Sequence, residues 1–117
     1  MMEWNAAVIT VSDKGSQGKR EDTSGPALCK MLEEQGYQVI YTAIVPDEAV
    51  AIQRELLHCT DDLGVCLTLT TGGTGFSPRD ITPEATEAIL ERRTPGIPEA
   101  MRAASMNITP MACLSRE

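Results

Sequence analysis

Basic side chains are scarce in this sequence, in which ten lysines and arginines stand against 17 aspartates and glutamates. The resulting net charge of −7 argues against a surface that binds nucleic acid or an anionic membrane. Any anionic ligand must therefore be held at a local site, against the overall charge of the protein.

Histidine and closely spaced cysteines, the side chains that typically bind zinc, are equally sparse. His58 is the only histidine, and Cys29, Cys59, Cys66 and Cys113 are widely spaced, without a Cys-x-x-Cys pair. This spacing argues against a zinc site. Cys29 and Cys66 lie on apolar patterns and are predicted to be buried thiols in a reducing compartment. His58 is predicted to lie at a helix end, as a C-terminal cation or a solvent-exposed residue.

Long apolar runs are also missing. No segment approaches the ~20 residues that span a bilayer, and residues 1–5 lack the basic-then-apolar plan of a signal peptide. We therefore expect a cytoplasmic protein without a membrane segment. A chain of 117 residues with 42% hydrophobic content fits a single globular domain over residues 1–117.

The apolar patterns that are present predict an α/β fold. Residues 6–11 form an almost uniformly apolar run, typical of a central strand covered on both faces. Further strands are predicted over residues 38–45 and from Val65, after which apolar and polar residues alternate. The strand starts are 32 and 27 residues apart, close to the ~30 of a β-α-β unit, which predicts a parallel sheet with right-handed crossovers. Four helices are predicted, opening at Ser24, Pro46, Thr82 and Ile97. We therefore expect a three-layer domain with an open, mostly parallel sheet.

A glycine-rich loop joins the third predicted strand to the helix after it. The segment Thr70–Asp80 holds three of the nine glycines, and Thr82-Pro83-Glu84 then supplies a hydroxyl suited to an N-cap and a proline suited to the first turn. Backbone N–H groups at such a strand-loop-helix junction can hold a phosphate. A Walker A loop is excluded because no Lys-Ser/Thr pair follows the glycines. A dinucleotide fingerprint is excluded because Phe76-Ser77-Pro78 replaces the required x-x-Gly or x-x-Ala.

Two aspartates are the candidate catalytic and metal-binding residues. In open parallel sheets, ligands bind beyond the carboxyl ends of the strands. The loops expected there span residues 12–15, 46–48 and 72–80. Asp47 and Asp80 lie in two of them and could bind a Mg²⁺ ion that bridges nucleotide phosphates. The alternative is that Asp47 caps its helix and that Asp80 caps the next helix or pairs with Arg79.

The glycine loop itself supplies further candidate binding residues. Gly72, Gly73 and Gly75 are expected to allow positive φ and a close approach of ligand to the main chain, and Thr74 adds a hydroxyl donor. Arg79 is a candidate to neutralise charge on a phosphoryl group, with an ion pair to an acid of the next helix as the alternative.

Residues 70–86 read TTGGTGFSPRDITPEAT, which closely resembles the signature of the MogA/MoaB family, the molybdopterin adenylyltransferases and their relatives in molybdenum-cofactor synthesis. The similarity extends over residues 7–13, 22–26, 45–48, 94–96 and 114–116. The resemblance implies a molybdopterin-binding α/β fold. It also implies the adenylylation of molybdopterin with Mg·ATP and the release of pyrophosphate.

The resemblance also implies roles for individual residues. Asp47 and Asp80 match family aspartates that position the metal and the nucleotide phosphates. Ser12, Thr74 and Ser105 match positions that contact the pterin or its phosphate, whereas the residues alone suggest a turn-stabilising hydroxyl at Ser12 and a helix end at Ser105. Family members are typically homotrimers or dimers of trimers, and the apolar or small residues of segment 97–106 are the expected contact surface.

The family pattern continues beyond the Leu-Ser-Arg of residues 114–116, into a strand, a Pro-Gly-x-Pro loop and a closing helix. Because this chain stops at Glu117, we expect either a fragment of a longer gene product or a shortened family member. One rival function is a non-catalytic, oligomeric pterin-binding module of the same pathway. Another is a flavodoxin-like FMN binder, which the acidic surface and the two aspartates beside the loop disfavour.

Overall fold

The computed structural model describes residues 4–116. Residues 1–3, which the prediction of no signal peptide uses, and Glu117, the last residue of the sequence, lie outside this range. Three strands, β1 (Trp4–Val11), β2 (Tyr37–Val45) and β3 (Leu67–Thr71), form one sheet in the order β2–β1–β3. Both pairings are parallel. The predicted parallel sheet with a central first strand is therefore confirmed.

The helices lie close to where the sequence predicts them. Within residues 4–116 they are α1 (Asp13–Ser16), α2 (Ser24–Glu34), α3 (Ala49–Leu57), α4 (Thr82–Glu87) and α5 (Gly96–Met106). A π-helical turn, His58–Asp62, follows α3, so His58 lies at a helix end as predicted. A 3-10 turn, Pro110–Leu114, follows α5. None of the helices in this part of the chain is long and apolar enough to cross a membrane.

Side chains of β1 point alternately to the two faces of the sheet, because a strand has a period of two residues. On one face Ile9 and Val11 pack with Ile52 and Leu56 of α3. On the other face Val8 and its neighbour Ala6 pack with Leu32 of α2. Burying one such aliphatic side chain stabilises a fold by about 1.5–3 kcal/mol. The two cores give the predicted three layers, with β1 buried between them.

The prediction for Cys66 is wrong. Cys66 is exposed because β3 begins at Leu67 rather than Val65, so the cysteine precedes the strand. Its thiol donates a hydrogen bond to the carbonyl of Asn5 at 2.9 Å. Cys29 is half-buried, and burial raises the pKa of its thiol. Cys59 is fully buried, and burial likewise raises the pKa of its thiol.

Candidate functional site

The loops after the three strands meet at one edge of the sheet. Ser12 follows β1, Pro46 follows β2 and Gly72 follows β3. The backbone N–H of Ser12 donates to the carbonyl of Val45 at 2.8 Å, so the first two loops stay joined beyond the strands. The third loop reaches them at Gly72, which lies against the carbonyl of Val11. The structure thus brings together the three loops that the sequence predicted at the carboxyl ends of the strands.

Asp47 is held by Asp13 through two reciprocal hydrogen bonds. The backbone N–H of Asp13 donates to Asp47 Oδ2 at 2.9 Å, and the backbone N–H of Asp47 donates to Asp13 Oδ1 at 3.0 Å. The N-cap position of α3 is occupied by Glu48, without a side-chain hydrogen bond. The capping alternative for Asp47 is therefore wrong. Asp47 Oδ1 lies 3.2 Å from the place of a Cβ on Gly73, so the carboxylate borders the glycine loop.

The electrostatics of Asp47 favour a cation. Burial raises the pKa of Asp47, and the negative charges of Asp13 and Asp80 raise it further, while the hydrogen bond from Asp13 and the positive charge of Arg79 oppose the shift. A partly dehydrated carboxylate near other carboxylates is stabilised by a bound positive charge. Mg²⁺ commonly takes one or two carboxylates and completes its shell with waters and phosphate oxygens. Asp47 and Asp80 fit that donor set.

No group of three or more His, Cys, Asp or Glu side chains stands ready to hold a metal ion within residues 4–116. A cation held by Asp47 and Asp80 would have two carboxylate ligands and would take its remaining ligands from other oxygen atoms. Phosphate groups of a bound nucleotide are ligands of that kind. The arrangement predicts that metal and nucleotide bind together rather than separately.

Arg79 reaches from the glycine loop to the loop after β1. Its Nε lies 3.0 Å from Asp13 Oδ2 and its Nη2 lies 2.8 Å from Asp13 Oδ1, with Glu48 Oε1 at 3.8 Å from Nη2. The Arg79 guanidinium holds the pKa of Asp13 below its usual value. The suggested ion pair with an acid of the next helix is therefore wrong, because the partner lies 66 positions earlier. An exposed ion pair of this kind contributes little to stability, so breaking it would cost the fold little.

Gly72 and Gly73 adopt φ values of 97° and 70°, the left-handed region that favours glycine. A Cβ on Gly72 would collide with the carbonyl of Val11, and one on Gly73 with the hydroxyl of Thr82. That hydroxyl donates to the carbonyl of Gly72 at 2.9 Å. Thr82 is buried inside α4 and ties down the loop, whereas the N-cap predicted for it is occupied by Ile81.

We predict that Gly72→Ala destabilises the protein by at least about 1–2 kcal/mol, because a Cβ adds left-handed strain and a clash with the Val11 carbonyl. Two control variants separate these causes. Gly36→Ala adds only strain, since Gly36 has φ 91° and open space, and Gly96→Ala adds neither. Urea unfolding should rank the losses as Gly72, Gly36 and Gly96. Equal midpoints for the Gly72 and Gly36 variants would show that the close approach carries no cost.

Asp80 closes a tight turn within the glycine loop. Its Oδ2 accepts from the backbone N–H of Ser77 at 3.1 Å, and its own N–H donates to the Ser77 carbonyl at 2.9 Å. It neither caps α4 nor pairs with Arg79, so both alternatives for Asp80 are wrong. Gly75 lies outside the left-handed region, contrary to one expectation, but a Cβ there would stand 2.8 Å from Asp80 Oδ2. Gly75 is thus a position of close approach to this carboxylate.

The three hydroxyl candidates lie in different surroundings. Ser12 accepts from the backbone N–H of Gly15 at 3.0 Å and caps α1, so a short helix stands where a loop was expected. Thr74 is half-buried in the glycine loop. Ser105 is exposed in α5, and its carbonyl accepts from the N–H of Ile108 at 2.9 Å. Contact of all three with one ligand stays a prediction.

A cavity of about 200 Å³ adjoins the glycine loop. Its lining includes Ser12, Asp22, Thr23, Thr71 and Gly72. This volume lies below the roughly 300–1,000 Å³ that most ligand sites enclose. A larger cavity of about 480 Å³ lies at the end of α3, away from the glycine loop. There the hydroxyl of Tyr41 donates to Glu55, which raises the pKa of Tyr41 to about 12.

Residue-level reasoning missed two contributors to the site, Asp13 and Arg116. Asp13 binds Arg79 and Asp47, and Arg116 binds two carbonyls of the glycine loop, at Gly75 and Asp80. Both contributors lie in segments that share the family pattern, residues 7–13 and 114–116. Membership of those segments was the only sign in the sequence that the two residues belong to the site. Their partners lie too far away in sequence for a local pattern to indicate them.

Together, the parallel sheet, the left-handed glycines and the carboxylates at the strand ends define an α/β domain with a glycine-rich loop and two aspartates at one edge of the sheet. A model of a protein family described as "Probable molybdopterin binding domain" matches residues 7–117. The chain belongs to this family. The resemblance of residues 70–86 to the MogA/MoaB family signature is thereby confirmed.

Similar proteins carry names from molybdenum-cofactor synthesis. A molybdopterin adenylyltransferase of Helicobacter pylori is 40% identical over 119 residues, covering 100% of this chain and 68% of the relative. A gephyrin of Dictyostelium discoideum is 44% identical over 97% of this chain but only 17% of the relative. The crystal structure of the molybdopterin biosynthesis enzyme MoaB from Thermus thermophilus matches with a TM-score of 0.90 and 44% identity, over 97% of this chain and 71% of that one. The chain therefore spans only part of each.

Proposed function

We propose that this protein transfers the AMP group of ATP to molybdopterin. The observation that carries the proposal is the position of two carboxylates at the glycine loop. Asp47 borders Gly73 and Asp80 borders Gly75, and the charge of Asp80 contributes to the raised pKa of Asp47. The adenylyltransferase names of relatives that this chain matches along its whole length point to the same reaction.

In the proposed reaction, an oxygen of the terminal phosphate of molybdopterin forms a bond to the α-phosphorus of ATP. The bond from that phosphorus to the oxygen bridging the β-phosphorus breaks, and pyrophosphate leaves with the electron pair. No side chain of the protein needs to form a covalent intermediate. The protein contributes by positioning the two substrates and by neutralising charge.

Each loop of the sheet edge has a role in this proposal. Asp47 and Asp80 would hold Mg²⁺, which supplies charge neutralisation on the phosphates when bound. The left-handed backbone at Gly72 and Gly73 would turn N–H groups toward phosphate oxygens, and Thr74 would add a hydroxyl donor. Arg79 would exchange Asp13 for a phosphate of the nucleotide, while Ser12 and Ser105 would contact the pterin or its phosphate.

Titration of the protein with ATP tests the nucleotide half of the proposal. We expect ATP to bind with Mg²⁺ present and at least about tenfold more weakly with EDTA, because the carboxylates repel uncompensated phosphates. Asp61→Ala, which removes an exposed carboxylate in the turn after α3, is the matched control and should bind normally. Equal affinity with and without Mg²⁺ would contradict the proposed metal role.

A second candidate is a molybdopterin-binding module without catalysis. It is favoured by the family description, which names binding alone. The two candidates differ in one result, since both bind molybdopterin but only the enzyme releases pyrophosphate from Mg·ATP.

We propose a cytoplasmic location, supported by the free thiols of all four cysteines.

A homotrimer, or a dimer of trimers, is our proposal for the assembly. Ile97, Met101 and Met106 of α5 are 60%, 49% and 44% exposed, and no residue of this helix is buried. Exposed apolar surface of this kind is typical of contact sites. Light scattering should therefore give a trimer mass at micromolar concentration, and Met101→Lys should lower it. A monomer mass for the unmodified protein would contradict the proposal.

A further inference from the structure

Arg116 holds the two ends of the Gly75–Asp80 loop. Its Nε donates to the carbonyl of Gly75 at 2.8 Å, and its Nη2 donates to the carbonyl of Asp80 at 2.5 Å. These residues lie 41 and 36 positions before Arg116 in the chain. One planar guanidinium thus fixes both ends of the segment that contains Arg79 and carries Asp80.

The guanidinium is itself fixed from a second direction. Its Nη1 donates to both carboxylate oxygens of Glu84, at 2.8 and 3.0 Å. Its carbon lies 5.7 Å from the centre of the Phe76 ring, within range of a cation–π contact. The Arg116 side chain is only 30% exposed, so water competes less for these bonds than at an open surface. Glu84 stands in the first turn of α4 and therefore anchors the guanidinium to a helix.

We propose that Arg116 is a positioning residue for Asp80. By binding the Asp80 carbonyl, Arg116 sets the backbone from which the carboxylate projects, and by binding the Gly75 carbonyl it sets the glycine turn beside that carboxylate. Only a forked donor can serve both carbonyls and Glu84 at once. A lysine keeps the charge but offers a single nitrogen. The kinetic consequence rests on the proposed AMP transfer, whereas the ordering of the loop does not.

Arg102 provides a matched control. Its Nη1 donates to the carbonyl of Ser115 at 3.3 Å, so it supports the same C-terminal segment, and among residues 4–116 its side chain makes no hydrogen bond to the glycine loop. If Arg116 merely fastened this segment, loss of either arginine would have similar effects. If Arg116 positions Asp80, only its own loss should disturb the loop.

Hydrogen exchange and kinetics of wild type, Arg116→Ala, Arg116→Lys and Arg102→Ala test the proposal. In Arg116→Ala the amides of Ser77 and Asp80 should exchange at least about tenfold faster, because the loop loses two charge-assisted hydrogen bonds. kcat for AMP transfer should fall roughly 10²-fold, and KM for ATP should rise by a smaller factor, because the same loop carries Arg79. Arg116→Lys should lie between, and Arg102→Ala should match wild type in the loop.

Unchanged exchange at Ser77 and Asp80 in Arg116→Ala would overturn the proposal, as would equal acceleration in Arg102→Ala. Faster exchange with unchanged kcat in Arg116→Ala would also overturn it. Arg116 would then order the loop, but this order would not be needed to position Asp80. If Arg116→Ala fails to fold, the same comparisons are made with Arg116→Lys. If wild type transfers no AMP, the proposed function fails, and the exchange data alone decide whether Arg116 orders the loop.

Discussion

Replacing Asp80 with alanine should lower the rate of AMP transfer by roughly 10²-fold or more, the typical loss when one preorganised electrostatic group is removed. The fold should persist, because Asp80 is only half-buried and its carboxylate contacts one backbone N–H, that of Ser77. Single-turnover measurement of pyrophosphate release from Mg·ATP and molybdopterin checks the rate. The near-ultraviolet circular dichroism spectrum checks the fold.

Asp80→Asn separates charge from shape. The amide oxygen of asparagine can still accept from Ser77, so the turn should be kept while the charge is lost. We expect this variant to be nearly as slow as Asp80→Ala. Asp61→Ala should retain the wild-type rate, since it removes an equal charge elsewhere. A folded Asp80→Ala protein with wild-type turnover would contradict the proposed role of Asp80 in AMP transfer.

Asp47→Ala should weaken Mg-dependent ATP binding by roughly tenfold to 10²-fold, because a carboxylate that compensates a bound cation is lost. A second variant, Asp47→Asn, separates the role of Asp47 in binding from its role in stability. Burial and nearby carboxylates raise the pKa of Asp47, so its charge is unfavourable in the ligand-free protein. The amide oxygen of the substituted side chain can still accept from the Asp13 N–H, and the neutral variant should unfold at an equal or higher urea concentration. Weaker binding without lost stability would mark Asp47 as a ligand residue.

The opposite pair of results would mark Asp47 as structural. If Asp47→Asn unfolded earlier but bound Mg·ATP with wild-type affinity, the reciprocal bonds with Asp13 would be its whole role. Asp13→Asn is the informative companion variant, since it keeps an acceptor for the Asp47 N–H but weakens the pairing with Arg79. We expect Asp13→Asn to affect ATP affinity less than Asp47→Asn does.

Local patterns predicted the features that depend on local physics. The run over residues 6–11 is apolar at every position except Thr10, and it forms the buried centre of the sheet. The spacing of the three strands predicted parallel pairing, which the register confirms. Two of the three glycines of the glycine-rich loop adopt the expected left-handed backbone.

Contacts distant in sequence were not predictable in this way. Asp13 meets Arg79 across 66 positions, and Arg116 meets Gly75 across 41. No periodicity records such a partner, because the partner depends on how the whole chain packs. The capping alternative for Asp47 failed for this reason, since the carboxylate accepts from Asp13, 34 positions earlier. At Thr82 the predicted cap was wrong for a local reason, because the hydroxyl donates to the Gly72 carbonyl ten positions earlier.

Transfer of AMP to molybdopterin at the glycine loop, Asp47 and Asp80 is the reaction that we propose. It is tested most directly by incubating the protein with molybdopterin, Mg²⁺ and ATP labelled at the α-phosphorus. We predict that the label appears in molybdopterin in equal amount to the pyrophosphate released, and that EDTA or Asp80→Ala prevents both. Bound molybdopterin without label, in protein that is folded and supplied with Mg·ATP, would contradict the claim and leave a binding module.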